Sequence, residues 1–177
     1  MTGSQDKSII LWNPFKGLHL KTYSGPHNHE VTGLAIHSNN NTFASVGGDK
    51  LVFYWDVSTG KLIRKLQGHT QPINCVVFNH QYNVLVSGSL DSTVRIWDIE
   101  GHGRPGQYTY TKEIQTLEEQ KDSVSQLIVT EDQIIVSSLD GFIRTYDIRM
   151  GLLTQDHIGC KFYNQGSSNN SNGYVRG

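Results

Sequence analysis

Apolar residues in this chain gather in short runs separated by polar turns. Between Gly68 and Asp98 the pattern is clearest. Pro72 to Phe78 (PINCVVF) is a mostly apolar run, Asn79 to Asn83 (NHQYN) is turn-like, Val84 to Ser87 is a second run, and Ser92 to Trp97 a third. Runs of four to seven residues rich in β-branched and aromatic side chains, bounded by glycine or small polar residues, predict strands. A fourth strand is predicted after the closing Trp-Asp: Leu18 to Tyr23, Lys61 to Leu66 and Lys112 to Leu117 fit this place, and Leu152 to Thr154 begins another. The fold class expected is all-β.

One phrase recurs four times without gaps: SQDKSIILWN (4 to 13), GGDKLVFYWD (47 to 56), SLDSTVRIWD (89 to 98) and SLDGFIRTYD (138 to 147). Asp6, Asp49, Asp91 and Asp140 each stand six residues ahead of an aromatic, namely Trp12, Trp55, Trp97 and Tyr146, and the copies recur after 43, 42 and 49 residues. A period of roughly 40 to 45 residues whose third strand ends in Trp-Asp resembles the WD-repeat family, in which each repeat supplies the four strands of one propeller blade.

The resemblance implies a set of structural residues in each blade: a His in the loop leading in, a Ser or Thr on the second strand, the turn Asp, and the Trp. These would form a buried polar relay. In this sequence the set is His69, Ser87, Asp91 and Trp97, and also His27, Ser45, Asp49 and Trp55, with Ser137, Asp140 and Tyr146 in the last copy. That copy lacks the His, and Asp122 is the candidate to stand in for it. Buried indole N–H groups and carboxylates need partners, and leaving one unpaired costs about 1 to 3 kcal/mol. Ser, His and Asp here are therefore read as structural and not as a catalytic triad, because no exposed nucleophile or oxyanion site accompanies them.

Composition adds exclusions. With 15 Lys plus Arg against 16 Asp plus Glu and no basic stripe, direct nucleic-acid binding is disfavoured. The 36% hydrophobic fraction, 10% aromatic residues and 18 glycines suit many short strands joined by tight turns. Cys75 and Cys160 lie far apart and read as free thiols of a reducing compartment. No apolar run has the length of a membrane span, and the first residues lack the pattern of a signal peptide, so an intracellular protein without membrane attachment is expected.

Three further motifs read as ordinary structure. Gly101 to Gly106 (GHGRPG) matches a dinucleotide fingerprint, but no helix follows it, so it is taken as a lengthened loop and no cofactor is expected. His27 and His29 lack Cys or carboxylates at ligand spacing, so no metal site is expected. Asp147 and Arg149 form an aromatic-Asp-x-Arg box resembling the one by which some WD-repeat proteins dock on a cullin ubiquitin ligase adaptor. The alternative reading is therefore a ligase substrate receptor.

Several phrases are similar to those of WD-repeat members that organise mitogen-activated kinase cascades: LWNPFKG (11 to 17), WDVSTGK (55 to 61), SGSLDS (87 to 92) and YDIRMG (146 to 151). The similarity runs from about Thr2 to Leu153. It implies a seven-bladed, non-enzymatic scaffold of the cytoplasm and nucleus, binding kinase cascade components, with relatives associated with the spliceosome. Partner contacts would fall on the loops, with His29, Gln71, Leu90, Lys121 and Leu139 as candidates. The chain starts inside a blade, so residues 1–157 are expected to form about three and a half blades of the seven, an incomplete propeller left by truncation or fragmentation. Residues 158–177, rich in Gly, Ser and Asn, are expected to be a disordered tail. The exposed terminal blades make an isolated chain prone to associate.

Overall fold

The computed structural model describes residues 1–79, 81, 83–99, 110–111, 113–148 and 153–157; the glycine-rich loop, Arg149 and the 158–177 tail lie outside them. All regular structure among the described residues is β, in four sheets.

The first sheet has three strands, β1 (Thr2–Gly3), β2 (Ile9–Asn13) and β3 (Leu18–Tyr23), in that order. The second contains β4 (Val31–Ile36), β5 (Thr42–Gly47), β6 (Leu51–Asp56) and β7 (Leu62–Gln67). The third begins with β8 (Ile73–Phe78), β9 (Val84–Ser89) and β10 (Val94–Asp98). Where one fourth strand was expected over 112–117, two short pieces occur. Of these, β12 (Gln115–Leu117) closes the third sheet against β10, while β11 (Tyr110–Thr111) runs parallel to β7 and adds a fifth strand to the second sheet. The lengthened connection thus returns to the outer edge of the preceding sheet. The fourth sheet is β13 (Val124–Val129), β14 (Gln133–Ser138), β15 (Phe142–Asp147) and β16 (Leu153–His157).

The inner strands β4, β8 and β13 pack in succession, so the sheets follow one another as blades around a common side. Each inner strand carries a β-bulge at its second residue, Thr32, Asn74 or Ser125. A bulge re-aims one side chain, and here it stitches blades together: Thr32 Oγ1 donates to the Ile73 carbonyl at 2.6 Å and Asn74 Nδ2 to the Val124 carbonyl at 2.7 Å. Gly88 lets the third and fourth blades approach closely, since a Cβ there would sit 2.5 Å from Val124 Cγ1.

The strand alternation gives every blade a near face, toward the preceding blade, and a far face, toward the next. Phe43, Phe53 and Trp55 on the near face of the second blade pack with Ile9 and Tyr23 of the first. Ala44, Val52 and Tyr54 on its far face pack with Leu85 and Trp97 of the third. Val86 and Val94 of the third meet Leu127, Ile134 and Tyr146 of the fourth. The core therefore consists of three interblade layers.

Candidate functional site

The turn between the second and third strands of each blade is built alike. The residue after each turn Asp has a left-handed backbone: Lys7 (φ 72°), Lys50 (63°), Ser92 (63°) and Gly141 (83°). Three of the four are not glycine and hold a conformation that is costly for a residue with a Cβ. The Asp side chain offsets this by capping the turn, accepting from the amide two residues on: Ser8 to Asp6 at 2.9 Å, Thr93 to Asp91 at 3.0 Å and Phe142 to Asp140 at 3.1 Å.

In the third blade the other Asp91 oxygen begins a chain of hydrogen bonds. His69 Nδ1–H donates to Asp91 at 2.9 Å, Ser87 Oγ–H donates to His69 Nε2 at 2.8 Å, and Trp97 Nε1–H donates to Ser87 Oγ at 2.8 Å. The indole can only donate and the Asp91 carboxylate can only accept, so in a neutral imidazole Nδ1 carries the proton and Nε2 is left to accept from the serine hydroxyl. The second blade repeats this through Asp49, His27, Ser45 and Trp55 at 2.6, 2.8 and 2.8 Å. Each Asp also accepts the amide of the residue after the His, from Asn28 at 2.8 Å and Thr70 at 3.0 Å. The structure thus brings together both full sets read from the sequence.

Burial lowers the His27 pKa below its ordinary value, and Asp49 only partly opposes this, so His27 is neutral and can accept from Ser45. For Asp91, burial alone would raise the pKa, but the bonds from His69, Thr93 and Thr70 outweigh it and hold the carboxyl well below the usual range. The order Asp, His, Ser matches a hydrolase triad. However, Ser45 and Ser87 are fully buried and each already accepts an indole N–H, so neither hydroxyl can reach a substrate. Burial likewise pushes the Cys75 thiol up to about 12, leaving it unreactive.

The fourth blade is wired differently, and two expectations are corrected there. Ser137 does not join a relay with Tyr146. The relay serine stands four residues before the turn Asp, and four before Asp140 is Val136; Ser137 is one residue out of phase, points to the far face and bonds Ser125 at 2.8 Å. Nor does Asp122 replace the missing His, being exposed with its carboxylate accepting from the Ser123 amide. Gln120 takes that place, four residues ahead of the inner strand as His27 and His69 are, and its Nε2 donates to the Tyr146 hydroxyl at 2.8 Å. The hydroxyl in turn donates to Glu119 at 2.9 Å, and burial with this acceptor raises the Tyr146 pKa.

Asp140 accepts the Lys121 amide at 3.0 Å and forms a 2.8 Å ion pair with the buried Arg144. Its burial is outweighed by Arg144 and the two amides, leaving the carboxyl at about 2. Arg144 Nε and Nη1 and Gln120 Oε1 have no hydrogen-bond partner among the described residues. The first blade keeps a partial version, in which Trp12 donates to Thr2 Oγ1 at 2.9 Å, Thr2 standing four residues before Asp6.

These relays fix a rim. Just ahead of each turn Asp, a backbone amide clamps the turn to the loop leading into the blade: Gly48 to Glu30 at 3.2 Å, Leu90 to Pro72 at 3.0 Å and Leu139 to Ser123 at 2.9 Å. The candidate contact residues His29, Gln71, Leu90, Lys121 and Leu139 are all exposed on these loops and turns. Leu90 and Leu139 occupy equivalent positions in adjacent blades, 40% and 66% exposed, and Ser123 Oγ links the two turns through the Leu90 carbonyl at 3.4 Å. Asp147 lies at the end of β15, beside a cleft of about 190 Å³ that is also lined by Ile96, Leu117, Glu119 and Tyr146. Its partner in the docking box, Arg149, is outside the described residues.

Repeated blades locked by Asp-His-Ser-Trp relays define a WD-repeat β-propeller chain, here open and incomplete, and residues 17–56 and 60–98 match the WD40 family (WD domain, G-beta repeat). The chain is similar to the WD repeat domain-containing protein 83 homolog of Dictyostelium discoideum, with 30% identity over 86% of this chain and 53% of the relative. It is 36% identical to the serine-threonine kinase receptor-associated protein of Dictyostelium discoideum over 50% of this chain and 30% of the relative. The solved structure of U3-55K superposes with a TM-score of 0.77 at 22% identity, over 88% of this chain and 47% of that one, a likeness of fold. The chain thus spans about half the length, or less, of the proteins it matches.

Proposed function

We propose that this chain is a non-enzymatic scaffold that gathers other proteins on the rim formed by its lead-in loops and turns. The observation that carries this reading is the pair of exposed leucines, Leu90 and Leu139, on turns pinned by hydrogen bonds to the turn Asp and the lead-in loop. Apolar side chains held rigidly in water lose little conformational entropy on binding and make effective anchors. The buried Ser, His and Asp chemistry supports a mechanical role for the relays.

The phrases shared with kinase cascade organisers favour mitogen-activated kinase components as partners, with spliceosomal proteins as the other group. The reading carries with it a site of action in cytoplasm and nucleus. Its test is binding of a purified mitogen-activated kinase and its upstream kinase, each alone, to the wild-type chain and to Leu90→Asp/Leu139→Asp. At least tenfold weaker binding by the variant supports the rim. Unchanged affinity for every kinase that binds removes it.

A further inference from the structure

Where the fourth strand of one blade meets the third strand of the next, the chain repeats one seam three times. Between the first and second blades a cation closes it. Lys21 of β3 donates from Nζ to the carbonyls of Val57 and Ser58 at 3.0 and 2.5 Å, and the Tyr23 hydroxyl donates to the Val57 carbonyl at 3.0 Å. Lys21 pairs with Leu11 across the strands. The same register position holds Arg64, opposite Tyr54, in the second blade and Gln115, opposite Ile96, in the third. The cation is thus present in the first two blades and lost in the third.

Other differences open the seam between the third and fourth blades. The strand β12 has three residues where β3 and β7 have six, and Leu117 stands in the place of Tyr23. Ile148, the counterpart of Val57 and Ile99, is 50% exposed, whereas Ile99 is 7% exposed. The result is the cleft of about 190 Å³ lined by Ile96, Gln115, Leu117, Ile134, Tyr146 and Ile148, with the carboxylates of Glu119 and Asp147. Glu119 is an addition, since the residue just ahead of the relay position is Pro26 in the second blade and Gly68 in the third. A seam that has lost its cation has gained a carboxylate. Both walls of the cleft belong to this chain, and a blade following the fourth would meet its far face and not this seam.

We propose that the cleft between the third and fourth blades binds a lysine side chain presented by a partner protein, in the place that Lys21 fills between the first and second. The aliphatic stem packs on Ile96, Leu117 and Ile134, and the ammonium donates to the Glu119 carboxylate and the Ile148 carbonyl. At about 190 Å³ the cleft is smaller than the roughly 300 Å³ at which small-molecule sites begin, so it suits a single side chain. The site uses neither of the rim leucines, and it can fail while the rim reading stands.

Methyl-detected NMR of the full chain, labelled at isoleucine and titrated with Nα-acetyl-lysine methylamide, tests it. Ile96, Ile134 and Ile148 should shift together and saturate in the millimolar range, while Ile73, in the core between the second and third blades, should not move. Nα-acetyl-norleucine methylamide, which has the stem without the ammonium, should cause little shift. Glu119→Gln keeps an acceptor for the Tyr146 hydroxyl and should weaken binding about threefold, the scale of one partly exposed charge contact. Gln115→Lys supplies in cis the cation of the first seam and should abolish the response while the remaining methyl spectrum stays that of the folded chain. Absence of saturable shifts overturns the proposal. So do equal shifts with the norleucine probe, or an undiminished response in Gln115→Lys.

Discussion

The indole nitrogen of Trp97 stands 2.8 Å from the hydroxyl oxygen of Ser87, and that hydroxyl is committed in the other direction to His69 Nε2, also at 2.8 Å. One oxygen thus joins the third strand of the blade to the lead-in loop, and His69 carries the connection to the turn at Asp91. The Ser87 and Trp97 side of this connection is fully buried, and Asp91 stands at its partly exposed end. Packing places the blades side by side, and the relay sets where their loops stand.

Ser87→Ala should therefore cost more than loss of a surface hydroxyl. It strands an indole donor and an imidazole acceptor at once, an expected loss of about 2 kcal/mol given the cost of unpaired buried groups. Ser92→Ala, one residue beyond the turn Asp and outside the relay, is the control. Urea denaturation should separate the two variants clearly, and equal midpoints would contradict the account.

Stability should fall with acid in two windows. His27 has a folded pKa below the ordinary 6.5, so the unfolded chain takes up a proton first. Its contribution is complete above 6.5 and is lost as pH falls from there toward the folded value. Asp140 has a folded value of about 2 against an ordinary 3.8, so its contribution is lost as pH falls through that lower interval. Melting temperature measured against pH should show both declines, and His27→Gln should remove part of the upper one. An upper decline unchanged in His27→Gln would place its source elsewhere.

The Asp140 to Arg144 pair should be worth keeping only as a pair. Arg144→Met leaves the carboxylate without its counter-charge at an expected cost of about 3 kcal/mol, the scale for breaking a buried ion pair. Asp140→Asn/Arg144→Met should recover most of that loss. A double variant as unstable as Arg144→Met would show that the guanidinium acts chiefly by filling space, over Phe142 for example, whose ring it overlies at 5.2 Å.

Much of this was legible in the chain. The six-residue step from Asp to Trp reflects a fixed turn and a strand of fixed register, and His27 and His69 show as the only histidines heading such a unit. Serine identity misled at Ser137, because a one-residue shift in a strand reverses the face; counting back four residues from Asp140 finds Val136, and from Asp6 finds Thr2. Gln120 was equally accessible by its distance from the inner strand. Arg144 was not, since its position holds Ile10, Phe53 and Arg95 in the other blades, and a buried charge is invisible until its partner is placed. The return of Tyr110 and Thr111 to β7 was hidden for a different reason, because parallel pairing across a long connection leaves no local pattern.

Rebuilding the fourth relay is a constructive test. Val136→Ser alone buries a hydroxyl beside Tyr146 and Gln120 and should destabilise by about 1 to 2 kcal/mol. Adding Gln120→His, Arg144→Phe and Tyr146→Trp copies the second blade and gives that hydroxyl its partners. The fourfold variant should be clearly more stable than Val136→Ser. If it is not, the relay does not transfer between blades as a unit.

Hydrogen exchange at the three indole N–H groups tests the locking of the blades most directly. Followed by NMR, the Trp55 and Trp97 signals should exchange slowly, near the rate of global unfolding, while Trp12, bonded to Thr2 at an exposed face, should exchange far faster. Trp97 exchanging as fast as Trp12 would contradict the account.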